Sequence, residues 1–241
     1  MQIRLEDGMT IDDAAIKLIQ AYEPLNGYYL GFSGGKDSVV IEHLTHRAGV
    51  KYQAVYNVSP IDPPQIHSFI KEWYPQVVWE NHAQGFWNKH FMSNGLPTHR
   101  IRWCCRIIKE AGGVGRVKIL GMRSAESNAR SHYRCFSERP NNTFRLLPIL
   151  SWSDADVWQY ISEHHLPFSA LYRHGFNRIG CVLCPFVGNA EIKQSLILFP
   201  KIVQNWRNAC DRYVIERNAN PKRKPLPFNT GEDYFNWWIK R

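Results

Sequence analysis

Six residues, SGGKDS at positions 33 to 38, constrain this chain more than any other part of its sequence. An apolar run at residues 28 to 32 precedes them, and a helix-like run at residues 39 to 44 follows. This order predicts a strand, a glycine turn and the start of a helix. Such a turn binds anions, because the glycines let the backbone approach a phosphate closely and the helix N-terminus presents N–H groups with partial positive charge. The lysine adds a full cation.

The spacing excludes one familiar phosphate-binding loop. A Walker A loop has four residues between its first glycine and a Gly-Lys pair, and Ser or Thr follows the lysine. Here Gly31 stands one residue too close to Gly35, and Asp37 follows Lys36. An ordinary surface turn is disfavoured as well, because a strand pattern precedes the glycines and a helix pattern follows them.

Length and composition predict a globular protein of the cytoplasm. A chain of 241 residues, 44% of them hydrophobic, can bury one substantial α/β core with a small appendage. Its apolar runs are too short for a membrane span, and residues 1 to 7 lack the basic and apolar pattern of a secretion signal. We therefore expect a cytoplasmic protein without membrane association. Its six cysteines are poor disulfide candidates in that compartment.

Positive charge is concentrated in the middle of the chain. The net charge is +9, and residues 99 to 145 carry 11 lysines and arginines against 3 acidic residues. Arginine predominates there, and its planar guanidinium suits bidentate contacts with phosphates. The segment therefore indicates a polyanionic partner such as a nucleic acid. The alternative is that these arginines serve a bound nucleotide and an internal cluster.

Alternating strand and helix patterns predict an α/β fold with a doubly wound parallel sheet, whose ligands bind beyond the carboxyl ends of the strands. Strands are expected at residues 28–32, 52–56, 76–79, 116–121 and 144–149. Helices are expected to begin at a capping box at Thr10, at a helix start near Ser153, at the glycine turn, and after Pro63-Pro64.

The pattern after residue 150 changes to helices and loops. We therefore predict a nucleotide-binding α/β domain over residues 1–150 and a helical cap over residues 151–241 that carries the Cys-x-x-Cys sequence. The Trp237-Trp238 pair in this cap is interpreted as a core or contact element rather than a platform for base stacking.

The cysteines form an adjacent pair and a Cys-x-x-Cys motif, which together suggest a metal site. A tetrahedral zinc site usually takes ligands at least two positions apart, whereas an adjacent pair fits a cubane in which each thiolate binds a different iron. A [4Fe-4S] cluster is therefore favoured, with zinc and buried structural thiols as alternatives. The candidate ligands are Cys104, Cys105, Cys181 and Cys184.

Two further cysteines, Cys135 and Cys210, lie outside these groups. A buried free thiol is the expected state of each. A persulfide carrier is the alternative.

The loop resembles the PP-loop of ATP pyrophosphatases, and the whole pattern over residues 25 to 190 resembles the phosphoadenosine phosphosulfate reductase family within them. Gly-x-Arg-x-x-Glu-Ser-x-x-Arg at residues 121–130 is similar to one element of that family. Pro-Ile at 148–149 with Trp152 and Asp-Val-Trp at 156–158 is similar to another element. Leu171-Tyr172 with Gly175 leads into Gly-Cys-x-x-Cys-Pro at 180–185, which is similar to a third. The four paired cysteines resemble the cluster-binding pattern of its adenylylsulfate reductase branch.

This resemblance implies ATP and Mg²⁺ as ligands and assigns roles to single residues. ATP would be bound by Ser33, Gly34, Gly35, Lys36, Asp37, Ser38, Gly121 and Arg123, and the catalytic residues would be Lys36, Asp37, Arg123 and Arg130. In this assignment Asp37 helps to place Mg²⁺, and the two arginines contact phosphates.

Two departures distinguish the chain from sulfonucleotide reductases. Those enzymes carry a degraded PP-loop without the Lys-Asp pair and a C-terminal Glu-Cys-Gly-(Ile/Leu)-His tail, whereas this loop is intact and residues 235–241 contain no cysteine. A third divergence, at residues 57 to 64, leaves the acceptor open, because reductases have Asp-Thr-Gly ahead of a proline there.

The combination resembles the ATP pyrophosphatase component of DNA phosphorothioation systems. We therefore expect adenylation of an acceptor oxygen, best a DNA backbone phosphate, with release of pyrophosphate and AMP and with a cysteine desulfurase as sulfur donor. The alternatives are a tRNA-thiolating enzyme, a reductase of adenylylsulfate or its 3′-phosphorylated form, and an ATP-sensing nucleic-acid-binding module.

Overall fold

The structure, a computed structural model, describes residues 8 to 240. The chain divides into two compact units, each built from segments that are separated in the sequence. Unit 1 runs up to Asn57 and adds Pro64–Glu80 and Gly112–Ile179. Unit 2 comprises Val58–Pro63, Asn81–Ala111 and the chain from Gly180 onward.

Unit 1 is built on a six-stranded sheet. The strands are β1 (Tyr28–Gly31), β2 (Tyr52–Asn57), β3 (Val78–Glu80), β4 (Val117–Ile119), β5 (Phe136–Arg139) and β6 (Thr143–Leu146). Their order is β3-β2-β1-β4-β6-β5, and β5 alone runs antiparallel to its neighbour, β6. Leu30 pairs with Ala54 on one side and with Ile119 on the other, and Leu30 and Ile119 are fully buried. The predicted doubly wound α/β fold is confirmed.

The helices begin where capping side chains satisfy their first N–H groups. Thr10 Oγ1 accepts a hydrogen bond from Asp13 N, and Ser153 and Asp156 form a reciprocal capping box. Both helices therefore begin where the sequence predicts. In chain order the helices are α1 (Ile11–Ala21), α2 (Lys36–Arg47), α3 (Pro64–Trp73), α4 (Phe91–Asn94), α5 (Trp103–Ile108), α6 (Asn128–Ser131), α7 (Asp154–Glu163), α8 (Asn189–Leu198), α9 (Pro200–Ala219) and α10 (Gly231–Ile239).

The edge strand β5 was not expected from the sequence. Asn141 and Asn142 both have positive φ, which makes the tight turn that joins β5 to β6. Phe136 in β5 stacks on Phe144 in β6 with ring centroids 5.5 Å apart. The predicted strands at 116–121 and 144–149 are shorter in the structure, because each ends before the chain turns away from the sheet.

Unit 2 has an aromatic core. Three tryptophans are buried there with at most 2% exposure: Trp103, Trp206 and Trp238. The ring centroid of Phe86 lies 5.0 Å from that of Trp103 and 5.9 Å from that of Trp206. A π-helical turn at Phe86–His90 leads into α4, and neither this turn nor α5 was expected from the sequence. None of the helices within residues 8–240 has both the length and the apolar character needed to cross a bilayer.

The division into units differs from the predicted boundary at residue 150. Helix α7 packs against α2, so the chain up to Ile179 stays with the sheet. Residues 81–111 instead join the C-terminal helices, because Phe86, Phe91 and Trp103 pack with Trp206 and its neighbours. As a result, both cysteine pairs belong to unit 2.

Candidate functional site

The loop at residues 33–38 joins β1 to α2 in unit 1. Gly34 has φ of +71°, a left-handed conformation that favours glycine. Ser38 Oγ accepts a hydrogen bond from Ser33 N at 3.2 Å and donates one to Gly35 O at 2.8 Å, which closes the turn. The loop therefore has the strand-turn-helix geometry that the sequence predicted. Its N–H groups lie at the N-terminus of α2, where a phosphate would be stabilised.

Gly121 lets the segment after β4 approach this loop. A Cβ on Gly121 would lie 2.6 Å from Asp37 O and 2.8 Å from Asp37 C, so any larger residue would force the two backbones apart. Two residues further on, Arg123 reaches the same residue, and its Nε lies 2.6 Å from Asp37 Oδ1. The Gly-x-Arg spacing thus has a geometric reason.

Four charged side chains meet at the start of α2. Lys36 Nζ lies 3.2 Å from Asp154 Oδ1, and Arg123 Nη2 lies 2.9 Å from the same oxygen. Lys36 and Arg123 are each 3% exposed, so both need counter-charges nearby. Together with the Arg123–Asp37 pair, this gives a compact cluster of two cations and two carboxylates, named here the loop cluster.

The two carboxylates of the loop cluster differ in their electrostatics. Burial raises the pKa of Asp37, although Arg123 and Lys36 act in the opposite direction. Burial also raises the pKa of Asp154, but the same two cations outweigh it, and the net shift is downward. Arg123 and Lys36 therefore favour the charged form of Asp37 against the effect of its burial. Magnesium takes oxygen ligands, and Asp37 Oδ2 is the carboxylate oxygen outside the Arg123 contact, so the donor chemistry fits Mg²⁺.

Two further residues contact Lys36 directly. Tyr172 OH accepts a hydrogen bond from Lys36 N at 2.8 Å, and Lys36 Nζ donates one to Asn177 O at 3.0 Å. The Lys36 ammonium also lies 5.4 Å from the ring centroid of Tyr172 and 5.9 Å from that of Trp158. A phosphate that bound to this lysine would have to compete with these protein partners.

Sequence reasoning assigned no site role to Asp154, Tyr172 or Asn177. Asp154 was visible only as the start of a helix, and Tyr172 only as part of a family motif. Both are more than 100 positions from the loop, and no spacing rule connects them to it.

Arg130 lies next to the loop cluster rather than in it. It pairs with Glu126, four residues earlier, and Glu126 Oε2 also accepts a hydrogen bond from Arg123 N at 2.9 Å. Arg130 thus braces the segment that carries Arg123. Its contact with phosphates stays a prediction, as do the other ATP contacts that the resemblance implies.

The four paired cysteines all lie in unit 2. A hydrogen bond with Cys105 is the first cause that raises the pKa of Cys104, followed by burial and by the charges of the other thiols, Cys181 and Cys184 among them. The same hydrogen bond, together with Arg102, lowers the pKa of Cys105. The thiols of both pairs are therefore close enough to influence each other.

The donor chemistry of this group fits a soft metal centre. Thiolates bind zinc and iron–sulfur clusters, and Arg102 and Lys109 would offset their negative charge. The proximity of Cys181 raises the pKa of Lys109. In the part of the chain that the structure describes, no three His, Cys, Asp or Glu side chains are arranged to hold a metal ion. The [4Fe-4S] cluster and its zinc alternative stay predictions.

The two remaining cysteines have different surroundings. Cys210 is fully buried, as expected for a free structural thiol, and burial raises its pKa. Cys135 is exposed, so the expectation of burial is wrong for this residue. It precedes the edge strand β5, where its side chain is open to solvent.

A mostly parallel sheet with a glycine turn between its first strand and the next helix defines an α/β protein with a candidate phosphate-binding loop. The phosphoadenosine phosphosulfate reductase domain matches residues 27–187, and the chain belongs to this family.

Curated relatives cover the same region. Two uncharacterized proteins of Methanocaldococcus jannaschii are 28% and 29% identical to the chain over 207 and 194 residues, which are 78% and 76% of the chain. The chain spans only 42% and 47% of their lengths. An adenosine 5′-phosphosulfate reductase of Bacillus cereus is 22% identical over 170 residues, covering 63% of the chain and 70% of that enzyme.

Solved structures share the fold. A phosphoadenylyl-sulfate reductase of Candida auris, in a phosphate complex, superposes with a TM-score of 0.52 and 16% identity, covering 75% of the chain and 97% of the enzyme. An FMN adenylyltransferase of Candida glabrata superposes with a TM-score of 0.51 and 17% identity, covering 95% of the chain and 70% of that enzyme.

Proposed function

We propose that the protein is an ATP pyrophosphatase that transfers AMP to an acceptor oxygen, which is then replaced by sulfur. The observation that carries this proposal is the intact loop: Lys36 is buried at the first turn of α2, beside N–H groups that can receive a polyphosphate. Family membership supports a sulfur-related role, and the fold is shared with an FMN adenylyltransferase.

The loop cluster would bind the polyphosphate of ATP. Lys36 and the loop amides hold the β and γ phosphates, and the hydroxyls of Ser33 and Ser38 add contacts. Arg123 keeps Asp37 in position through its 2.6 Å contact, and Asp37 would hold Mg²⁺, which neutralises phosphate charge when bound. Catalysis in such a site consists mainly of positioning and charge stabilisation.

The reaction proceeds in two displacements. An acceptor oxygen attacks the α phosphorus of ATP, a new P–O bond forms, and the bond to pyrophosphate breaks. Sulfide then attacks the acceptor phosphorus, forms the P–S bond, and AMP leaves with the bridging oxygen. A cysteine desulfurase would supply the sulfur as a persulfide, and a thiol supplies the two electrons that release it as sulfide.

A DNA backbone phosphate is the proposed acceptor. The arginine-rich middle segment and the basic unit 2 suit a polyanion better than a small molecule. Cys104, Cys105, Cys181 and Cys184 would hold the metal centre, which supplies redox or sulfur-binding chemistry when bound.

The proposal is tested by incubating the protein with Mg-ATP, a cysteine desulfurase, radiolabelled cysteine, a thiol and either DNA or tRNA. We expect AMP, pyrophosphate and labelled DNA in equal amounts. Labelled tRNA instead would transfer the role to tRNA thiolation. Nucleic-acid binding without AMP would identify an ATP-sensing binding module and overturn the proposal.

Reduction of adenylylsulfate or its 3′-phosphorylated form is the second candidate, favoured by the similarity to the Bacillus cereus reductase. This reaction needs an accessible nucleophilic thiol. Exposed Cys135 meets that requirement, whereas buried Cys210 does not. Release of sulfite from adenylylsulfate in the presence of a dithiol reductant and without ATP, lost in Cys135→Ser and retained in Cys210→Ser, would establish this alternative.

A further inference from the structure

Two adjacent tryptophans of α10 have opposite environments. Trp238 is 1% exposed, and its Nε1 donates a hydrogen bond to Pro97 O at 2.7 Å, so it belongs to the core of unit 2. Trp237 is 53% exposed. The interpretation of this pair as a core element therefore applies to Trp238, and the other ring is available at the surface.

A cavity of about 340 Å³ opens beside this ring. Its volume lies at the lower end of the range for small-ligand pockets, which is ~300–1,000 Å³. Among the described residues that line it, none carries a carboxylate, whereas a lysine and a histidine do contribute. The lining residues are Thr98, His99, Trp237, Trp238 and Lys240.

A second exposed aromatic ring continues the surface. Phe186 is 43% exposed, and its ring centroid lies 4.8 Å from that of His99. The guanidinium of Arg102 lies 4.9 Å from the Phe186 ring. The cavity and these two residues, Phe186 and Arg102, form one surface of alternating aromatic and basic groups, named here the Trp237 surface.

The Trp237 ring is also held in place from behind. It is nearly parallel to the ring of Tyr234, with 9° between the planes and 5.9 Å between the centroids, and Phe228 lies 5.5 Å away. An aromatic side chain fixed in this way loses little conformational entropy when a flat ligand stacks on it.

Charge indicates which flat ligand fits. Over the described residues, unit 2 carries 14 lysines and arginines against 7 acidic residues. Single-stranded nucleic acids are bound by basic surfaces with aromatic rings on which bases stack. Inside an undistorted duplex a base does not offer a face to a side chain, because its neighbours cover both faces, whereas an unpaired base can stack on an aromatic ring.

We propose that the Trp237 surface binds an unpaired nucleotide of a nucleic-acid strand. The base stacks on Trp237 and enters the cavity, while Lys240 and Arg102 contact phosphates along the strand. This inference rests on the proposed function in one respect, because the strand that binds here is taken to be the acceptor of that reaction.

The test measures binding of a fluorescently labelled single-stranded oligonucleotide in the absence of ATP. Trp237→Ala is expected to weaken binding at least ~5-fold, since loss of one stacked base has an effect of this size or more. Trp237→Phe should retain most of the affinity. Trp73→Ala is the matched control, because Trp73 in unit 1 is 54% exposed and lies outside the Trp237 surface.

Three results would overturn the inference: wild-type affinity in Trp237→Ala, an equal loss in Trp73→Ala, or a blunt duplex that binds as tightly as the single strand. Circular dichroism of each variant checks that it is folded. AMP formation is measured separately. If Trp237→Ala weakens oligonucleotide binding and no AMP forms, the Trp237 surface is supported and the proposed function is contradicted. If AMP forms and Trp237→Ala binds the oligonucleotide as wild type does, the proposed function is supported and the Trp237 surface is contradicted.

Discussion

The two units carry the same number of cations and use them differently. Over the described residues each unit has 14 lysines and arginines, but unit 1 has 12 acidic residues and unit 2 only 7. In unit 1, Lys36 and Arg123 are buried and paired with Asp37 and Asp154. Unit 2 has an excess of positive charge. A site that is balanced internally can exchange its partners for a small anion of defined shape, whereas an unbalanced surface attracts a long polyanion.

Removal of the buried Lys36 has the largest expected effect, and it tests whether the balanced site of unit 1 acts on a small anion. Lys36→Ala is expected to lower ATP-dependent AMP formation by ~100- to 1,000-fold, as for other groups that stabilise developing charge. Lys17→Ala, at an exposed position of α1, should have no effect. Equal turnover of both variants would show that the loop does not act on ATP. AMP is quantified by chromatography.

Loss of the buried arginine tests whether unit 1 depends on its internal balance. Arg123→Ala leaves Asp37 as a poorly solvated carboxylate, and we expect a loss of ~3 kcal/mol in the free energy of unfolding. In Arg123→Ala/Asp37→Asn the loss should be smaller than the sum of the single losses. Thermal unfolding measures all three variants, and strict additivity would contradict a direct coupling.

Neutralisation of the basic loop in unit 2 tests whether its excess positive charge binds a long polyanion. Lys222, Arg223 and Lys224 are exposed. Their triple change to Gln should make the slope of log affinity against log salt shallower by about 2 for a single-stranded oligonucleotide. ATP binding should stay unchanged. An unchanged slope would show that this loop does not contact the strand.

A pH titration examines a second internal cluster of unit 1. Burial, with nearby His164 and Arg47, lowers the pKa of His43 to about 4. The unfolded chain then binds a proton near pH 6.5 that the folded chain does not, so stability falls as pH drops from about 6.5 to 4, by on the order of 1–3 kcal/mol. His43→Gln should flatten this decline, and His132→Gln, at an exposed position of unit 1, should not. Chemical unfolding at several pH values measures the free energy of unfolding of each variant.

The smallest expected effect concerns the hydroxyl that occupies the loop. Tyr172→Phe removes the partner of Lys36 N, so ATP should bind ~2- to 10-fold more tightly, as expected for one net hydrogen bond. Tyr22→Phe, at an exposed position, is the control. Weaker binding of ATP to Tyr172→Phe, measured by calorimetry, would show that the hydroxyl itself assists the nucleotide.

The loop and the sheet could be predicted because their signals are local. The strand, glycine turn and helix follow each other within residues 28–47, and the capping residues Thr10 and Ser153 lie beside the helices they begin. Asp154 and Tyr172 could not be assigned to the loop, because folding alone brings them to Lys36. The place of residues 81–111 in unit 2 could not be read from the sequence for the same reason, because the aromatic side chains that join this segment to the C-terminal helices leave no periodic pattern that identifies their partners.

The construction of unit 2 from three separated segments has a consequence for synthesis on the ribosome. Trp238 Nε1 donates a hydrogen bond to Pro97 O across 141 positions, so the aromatic side chains on either side of residue 97, Phe91 and Trp103, emerge long before α10. Until α10 has been synthesised, apolar aromatic rings remain in contact with water, and such exposed surface promotes aggregation. Nascent chains arrested before residue 231 should therefore recruit chaperones more strongly than chains that include α10.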